Sequence, residues 1–118
     1  MSKKILLVED DRTMLNLLKT LLQIEGFEVV VIDEKSDTDL FSILQTERPD
    51  IVLMDVLLKF SNGLDLTQSI RSIEDFNAMK IILTSGIDYK LQAKNAGANY
   101  FLQKPYMPDI LIRLLKEI

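Results

Sequence analysis

The sequence predicts an α/β fold, a doubly wound five-stranded parallel sheet with five helices, on three observations. Five short runs rich in branched apolar residues recur along the chain. Each run is continuously apolar, not alternating, which is the pattern of a strand covered on both faces. Segments with helical spacing follow every run, and five strand-helix alternations imply parallel pairing through right-handed crossovers with helices on both faces of the sheet.

The first run, Ile5 to Val8, stops against Glu9, Asp10 and Asp11. In the helix after it, Met14, Leu17 or Leu18, Leu21 and Ile24 fall on one face, Asp11 is placed to cap the start, and Gly26 supplies the left-handed stop. The second run, Val29 to Ile32, leads to Ser36 with Asp39 three residues on, a capping-box spacing, then to Leu40, Ile43 and Leu44 as an inner face; Pro49 forbids continuation. Ile51 to Met54 form the third run, and Leu66, Ile70 and Ile73 mark the helix behind it. After the fourth run, Ile81 to Leu83, Asp88 caps a helix that ends at Gly97. The fifth run, Tyr100 to Leu102, precedes a helix opened by Pro108, with Leu111, Leu114, Leu115 and Ile118 facing inward.

Length and composition fit one domain over residues 1–118: 118 residues, 47% of them hydrophobic. The chain ends while still helical, which leaves room for a continuation into a longer protein. Lys and Arg number 14 against 18 Asp and Glu, a net charge of -4, and such a surface does not serve direct nucleic acid binding or attachment to an anionic membrane. Cysteine and histidine are both absent, so thiolate metal sites, cysteine nucleophiles and imidazole-dependent triads are excluded, and any phosphohistidine must belong to another molecule. Behind Lys3 and Lys4 the apolar run is too short for a secretory signal, and nothing approaches the ~20 apolar residues of a membrane span, so a cytoplasmic location is expected.

Ligands of open parallel sheets bind beyond the carboxyl ends of the strands. The residues in those places are Glu9, Asp10 and Asp11 after the first run, Asp55 after the third, Thr84 and Ser85 after the fourth, and Lys104 with Pro105 after the fifth. Adjacent carboxylates about 4 Å apart repel by roughly 4 kcal/mol at an intermediate dielectric, a cost that a hard divalent cation relieves. Mg2+ accepts one or two carboxylates together with water and phosphate oxygens, and Glu9, Asp10 and Asp55 supply the oxygens. A phosphoryl group beside such an ion also needs donors, which the Thr84 hydroxyl and the Lys104 ammonium provide. Asp55 as attacking group gives an aspartyl-phosphate. Taken singly, each residue has a plainer reading: helix capping for the acids, a strand end for Thr84, a solvated lysine and a turn for Lys104 and Pro105.

The stretches ILLVEDD, IVLMD with Gly63 eight residues beyond its Asp, IILTSG and AGANYFLQKP together resemble the receiver domain of two-component response regulators, over essentially the whole chain. The resemblance implies a flavodoxin-like sheet of strand order 2-1-3-4-5. It implies Asp55 as phosphoacceptor, supplied by a sensor histidine kinase or phosphotransfer protein. Mg2+ would be held by Glu9, Asp10, Asp55 and the backbone carbonyl of Leu57. Thr84 and Lys104 would bind the phosphoryl group, the Lys104-Pro105 bond would be cis, and Thr84 and Phe101 would form the switch. Fourth helix, fifth strand and fifth helix would make the output face, including Ile87, Tyr89, Lys90, Asn99 and Tyr106, and would serve a homodimer. On that reading the domain is a switch, not an enzyme with a separate substrate.

Two departures stand out. Many members carry proline where this chain has Lys59, followed by Phe60, and the positions that in fast self-dephosphorylating relatives carry amide or acidic groups hold Leu57 and Gly86. A Mg2+-dependent phosphohydrolase is the competing enzyme reading, but it normally needs a second carboxylate where Leu57 stands. A flavin or nucleotide module lacks its phosphate loop here, because acids follow the first strand. A receiver-like domain used only for contacts would have lost Asp55, one of the acid pair or Lys104, and none is lost.

Overall fold

Ile5, Leu6, Leu7 and Val8 expose at most 3% of their surface because their strand has a neighbour on each side and a helical layer on each face. The computed structural model that establishes this describes residues 2–32 and 38–118. Strand β1 (Lys4–Val8) is followed by helix α1 (Arg12–Ile24), then β2 (Glu28–Val31), α2 (Thr38–Glu47), β3 (Ile51–Asp55), α3 (Gly63–Arg71), a 3-10 turn (Glu74–Phe76), β4 (Lys80–Ser85), α4 (Lys90–Ala96), β5 (Tyr100–Gln103) and α5 (Pro108–Glu117). All strand pairs are parallel and the order is β2-β1-β3-β4-β5, the doubly wound arrangement expected.

Alternation along the strands divides the core in two. Leu6, Val8, Val52, Met54, Ile81 and Leu83 face α2, α3 and α4 through Leu40, Leu44, Leu66, Ile70 and Ala93. Ile5, Leu7, Ile51, Leu53 and Ile82 face α1 and α5 through Leu18, Leu22, Leu111 and Leu115. Each fully buried leucine or isoleucine contributes about 1.5–3 kcal/mol relative to exposure. No helix among the described residues is long and apolar enough to cross a membrane.

Two expectations are corrected. Strands β2 and β5 meet helices on both faces, Val30 and Phe101 on one and Val29, Val31 and Leu102 on the other, but as edge strands they are less buried than expected: Val29 to Val31 are only half-buried, and Tyr100 is exposed. In α1 the inward phase runs through Leu18 and Leu22, with Met14 and Leu15 beside them, while Leu17 (62% exposed) and Ile24 (74%) point outward. The helix carries more leucine than one face can bury, so two phases satisfy its spacing equally and only packing selects between them.

Helix ends follow local chemistry. Asp11 Oδ1 accepts the Met14 amide at 3.1 Å, and Gly26, at φ 94°, closes α1 by donating to the Gln23 carbonyl, while the Phe27 amide donates to that of Leu22. The capping-box reading of Ser36 lies outside the described residues; Leu40 and Leu44 are buried as expected. Helix α3 ends at Arg71, leaving Ile73 beyond it. Asp88 accepts the Lys90 amide at 3.0 Å, one residue ahead of the Tyr89 cap position. Pro108 opens α5.

The chain leaves β1 toward one face and β3 toward the other, so the carboxyl ends of these two central strands flank the switch point of the topology. Glu9 immediately follows β1 and Asp55 is the last residue of β3.

Candidate phosphoryl and metal site

Register alone sets Thr84 opposite Asp55, because β3 and β4 pair in step from Ile51 to the strand end. The Thr84 hydroxyl donates to Asp55 Oδ1 at 2.5 Å. Lys104, just beyond β5, is tied down by its amide, which donates to the Ser85 carbonyl at 2.8 Å, and the following bond to Pro105 is cis. From there its ammonium reaches Asp55 Oδ1 at 2.9 Å, Asp55 Oδ2 at 3.1 Å and Glu9 Oε1 at 3.0 Å. Glu9 Oε2 accepts the Asp11 amide at 3.3 Å. Four strand ends thus bring Glu9, Asp55, Thr84 and Lys104 together in one pocket.

Asp10 does not join them. Its Oδ2 accepts the backbone amide of Lys59, in the loop between β3 and α3, and among the described residues no three acidic side chains close on one point. That loop is a short antiparallel bridge of Leu57 with Asn62, made by Gly63 N to Val56 O (2.7 Å) and Leu58 N to Ser61 O (3.3 Å). The bridge leaves the Leu57 carbonyl out of its own bonding.

Charge in the pocket is unbalanced, two carboxylates against one ammonium. Burial, and then the neighbouring Asp55, push the Glu9 carboxyl up to about 7 against the opposing pull of Lys104. Burial alone would lower Lys104, but its bonds to Asp55 and Glu9 outweigh that and hold it above the ordinary lysine value. A divalent cation fits this donor set: hard oxygen ligands, net negative charge, and two carboxylates already converging, the number Mg2+ commonly takes.

The residues expected on the output face divide. Phe101 and Tyr89 are partly buried against the layer of α2, α3 and α4, and Ile87 is exposed. Phe101, Asn99 and Lys90 line a cleft of about 900 Å3 along α4 and β5. The Asn99 side chain is also committed inward: its Oδ1 accepts Arg71 Nη2 at 2.7 Å and the Ile81 amide at 2.8 Å. Tyr106 is not on that face. It packs with the α1 and α5 layer and lines a small void with Glu9, Asp55 and Thr84, because the turn at Pro105 carries the chain back over α1. Its hydroxyl is pushed up to about 12, chiefly by burial.

Gly63 has a role that spacing alone did not reveal. A Cβ there would lie 2.3 Å from the Asp55 carbonyl oxygen and 3.0 Å from Val56 Cα, both rigid backbone. Asn62, which caps α3 by accepting the Leu64 amide at 2.7 Å, could have been found from its position before a helical pattern, but the close approach could not. Gly63→Ala is expected to cost about 3 kcal/mol, read as a lowered urea midpoint, since the clash is with backbone that cannot swing aside.

The chain is similar to known proteins over nearly its whole length. The profile of the Response regulator receiver domain family matches residues 5–116. The transcriptional regulatory protein CpxR of Escherichia coli (strain K12) is 31% identical over 116 residues, 98% of this chain and 48% of that protein. The DNA-binding response regulator MtrA of Mycobacterium tuberculosis (strain ATCC 25618 / H37Rv) is 31% identical over 114 residues, 95% of this chain and 48% of that protein. The chain therefore spans about half the length of these two relatives. Among solved structures, a response regulator receiver domain protein (CheY-like) from Methanospirillum hungatei JF-1 superposes with a TM-score of 0.86 at 28% identity, covering 99% of this chain and 93% of that one.

Proposed function

Because the chain belongs to the response regulator receiver domain family of two-component systems, we propose that Asp55 is its phosphoacceptor. The donor is the phosphohistidine of a sensor histidine kinase or phosphotransfer protein, and the product switches a protein-interaction surface. The observation that carries this reading is the single carboxylate of Asp55 flanked by a hydroxyl donor and an ammonium, with a second carboxylate, Glu9, on the same ammonium.

An Asp55 oxygen attacks phosphorus, the bond from phosphorus to the donor imidazole nitrogen breaks, and the imidazole leaves with the electron pair. Lys104 and Thr84 already address the Asp55 oxygens and can turn to the incoming phosphoryl oxygens with little travel. Glu9, Asp10, Asp55 and the Leu57 carbonyl are the groups that would hold Mg2+, which when bound neutralises the charge on the transferring group. Thr84 moving toward the phosphoryl group vacates space beside β5, into which the half-buried Phe101 ring can turn, altering the surface of α4, β5 and α5. That surface, with Ile87, Lys90 and the cleft beside them, is the site for an effector or for a second copy of the chain. A cytoplasmic setting suits a kinase-supplied phosphoryl group, and the acidic charge assigns no nucleic acid contact to this segment.

The test is intact mass after incubation with acetyl phosphate. A gain of one phosphoryl group with Mg2+ and none with chelator supports the reading. Repeated turnover of a small phosphate ester would instead identify a phosphohydrolase.

The phosphorylated form is expected to persist. Leu57 is exposed and apolar and Gly86 has no side chain, so neither can hold a water in line with the acyl phosphate. Decay followed by mass in Mg2+ without a phosphatase should extend well beyond seconds; loss within seconds would contradict this.

A further inference from the structure

We propose that the backbone amide of Lys59 competes with the divalent cation for Asp10, so that loading the metal site weakens the hold on the loop between β3 and α3. The inference rests on reading Glu9, Asp10 and Asp55 as the cation site. Asp10 is the one acid of that set which does not contact Lys104 or its neighbours, and its Oδ2 is occupied by the Lys59 N–H. A hydrogen bond to an ionised carboxylate is among the stronger ones a loop can make, and it is a bond that proline at this position could not offer.

The loop is built to hold this donor in place. The bridge of Leu57 with Asn62 fixes its base, and the Asn62 cap and the close seat of Gly63 on Asp55 fix its far end. Asp10 and Lys59 also line one wall of an open groove beside the pocket, so the carboxylate has somewhere to turn from when it is released. With the bond intact, Asp10 can offer the cation at most its Oδ1; with it broken, both of its oxygens can turn to the cation. Affinity for the cation and the conformation of the loop are then linked, each opposing the other by the same factor.

Proline and alanine at position 59 separate the amide from the side chain. Lys59→Pro removes the N–H, whereas Lys59→Ala keeps it and removes only the ammonium. By isothermal titration with MgCl2, Lys59→Pro is expected to bind about tenfold tighter than the native chain, equivalent to about 1.4 kcal/mol, and Lys59→Ala to stay within about twofold. Equal affinities for Lys59→Pro and the native chain, or equal gains in both variants, would overturn the proposal, the second by assigning the effect to the lysine charge. If no chain binds Mg2+, the cation reading itself fails, and that result is distinct from equal binding by all three. Should Lys59→Pro fold poorly, the native chain still decides. Its Lys59 amide resonance should move upfield and exchange faster with solvent as MgCl2 is added; a Lys59 amide unchanged at saturation would overturn the proposal.

Discussion

Lys104→Met is expected to lower the stability of the metal-free chain by about 2 kcal/mol at pH 8 and by clearly less at pH 5.5. Removing one member of a buried ion pair typically costs about 3–5 kcal/mol, because the stranded charge has no water to return to. Here the cost is smaller for two reasons. The Lys104 side chain keeps 27% of its surface exposed, so part of the pair is screened already. Glu9 can also escape by taking a proton, and the lower the pH the more readily it does so. The same variant should be stabilised by Mg2+ more than the native chain is, since a second cation then supplies the charge that the ammonium no longer does. Urea unfolding at both pH values, with and without 10-fold changes of MgCl2 about the working concentration, measures all of this. Equal stability of variant and native chain at pH 8 would mean that the Lys104 ammonium does not hold the carboxylates together.

Glu9 gives the second large effect, and its sign is the reverse of the usual acid. The folded chain holds the Glu9 proton up to about 7, whereas the unfolded glutamate releases it near 4.5. Between those values the folded state carries more protons, so Glu9's contribution to stability is fully present below about 4.5 and is lost as pH rises through about 7. Its size is of order 3 kcal/mol across that window. Replacing Glu9 with Gln removes the titration, so the native chain should lose more stability than Glu9→Gln between pH 5 and pH 8. Mg2+ should flatten the native profile by favouring the ionised form. Parallel profiles for the two chains would show that the pocket does not hold the proton.

Much of this architecture is legible in the sequence because of how parallel sheets are built. A continuously apolar run can only be covered on both faces, and the crossovers that follow force every strand to end on the same edge. Glu9, Asp55, Thr84 and Lys104, spread over 96 positions of the chain, therefore meet for topological reasons before any side-chain packing is considered. What escapes the sequence is direction. Asp10 carries a carboxylate like Glu9 and is adjacent to it, yet that carboxylate goes to a loop amide; every residue but proline offers such a donor, and composition does not say where a loop will present it. Tyr106 follows Pro105 closely enough to suggest the outer face, but the turn returns it to α1. Asn99 is polar and lies at the start of β5, yet its carbonyl is consumed by Arg71 and Ile81. In α1, a surplus of leucine hides the phase until packing against Leu111 and Leu115 selects it.

The central claim is that the phosphoryl group resides on Asp55, and intact mass of the native chain and of Asp55→Asn after acetyl phosphate and Mg2+ tests it most directly. The native chain should gain a single phosphoryl group and the Asn variant none, since the amide cannot form the acyl phosphate. Equal labelling of both chains, or a native chain that stays unlabelled under conditions where it binds Mg2+, would contradict the account.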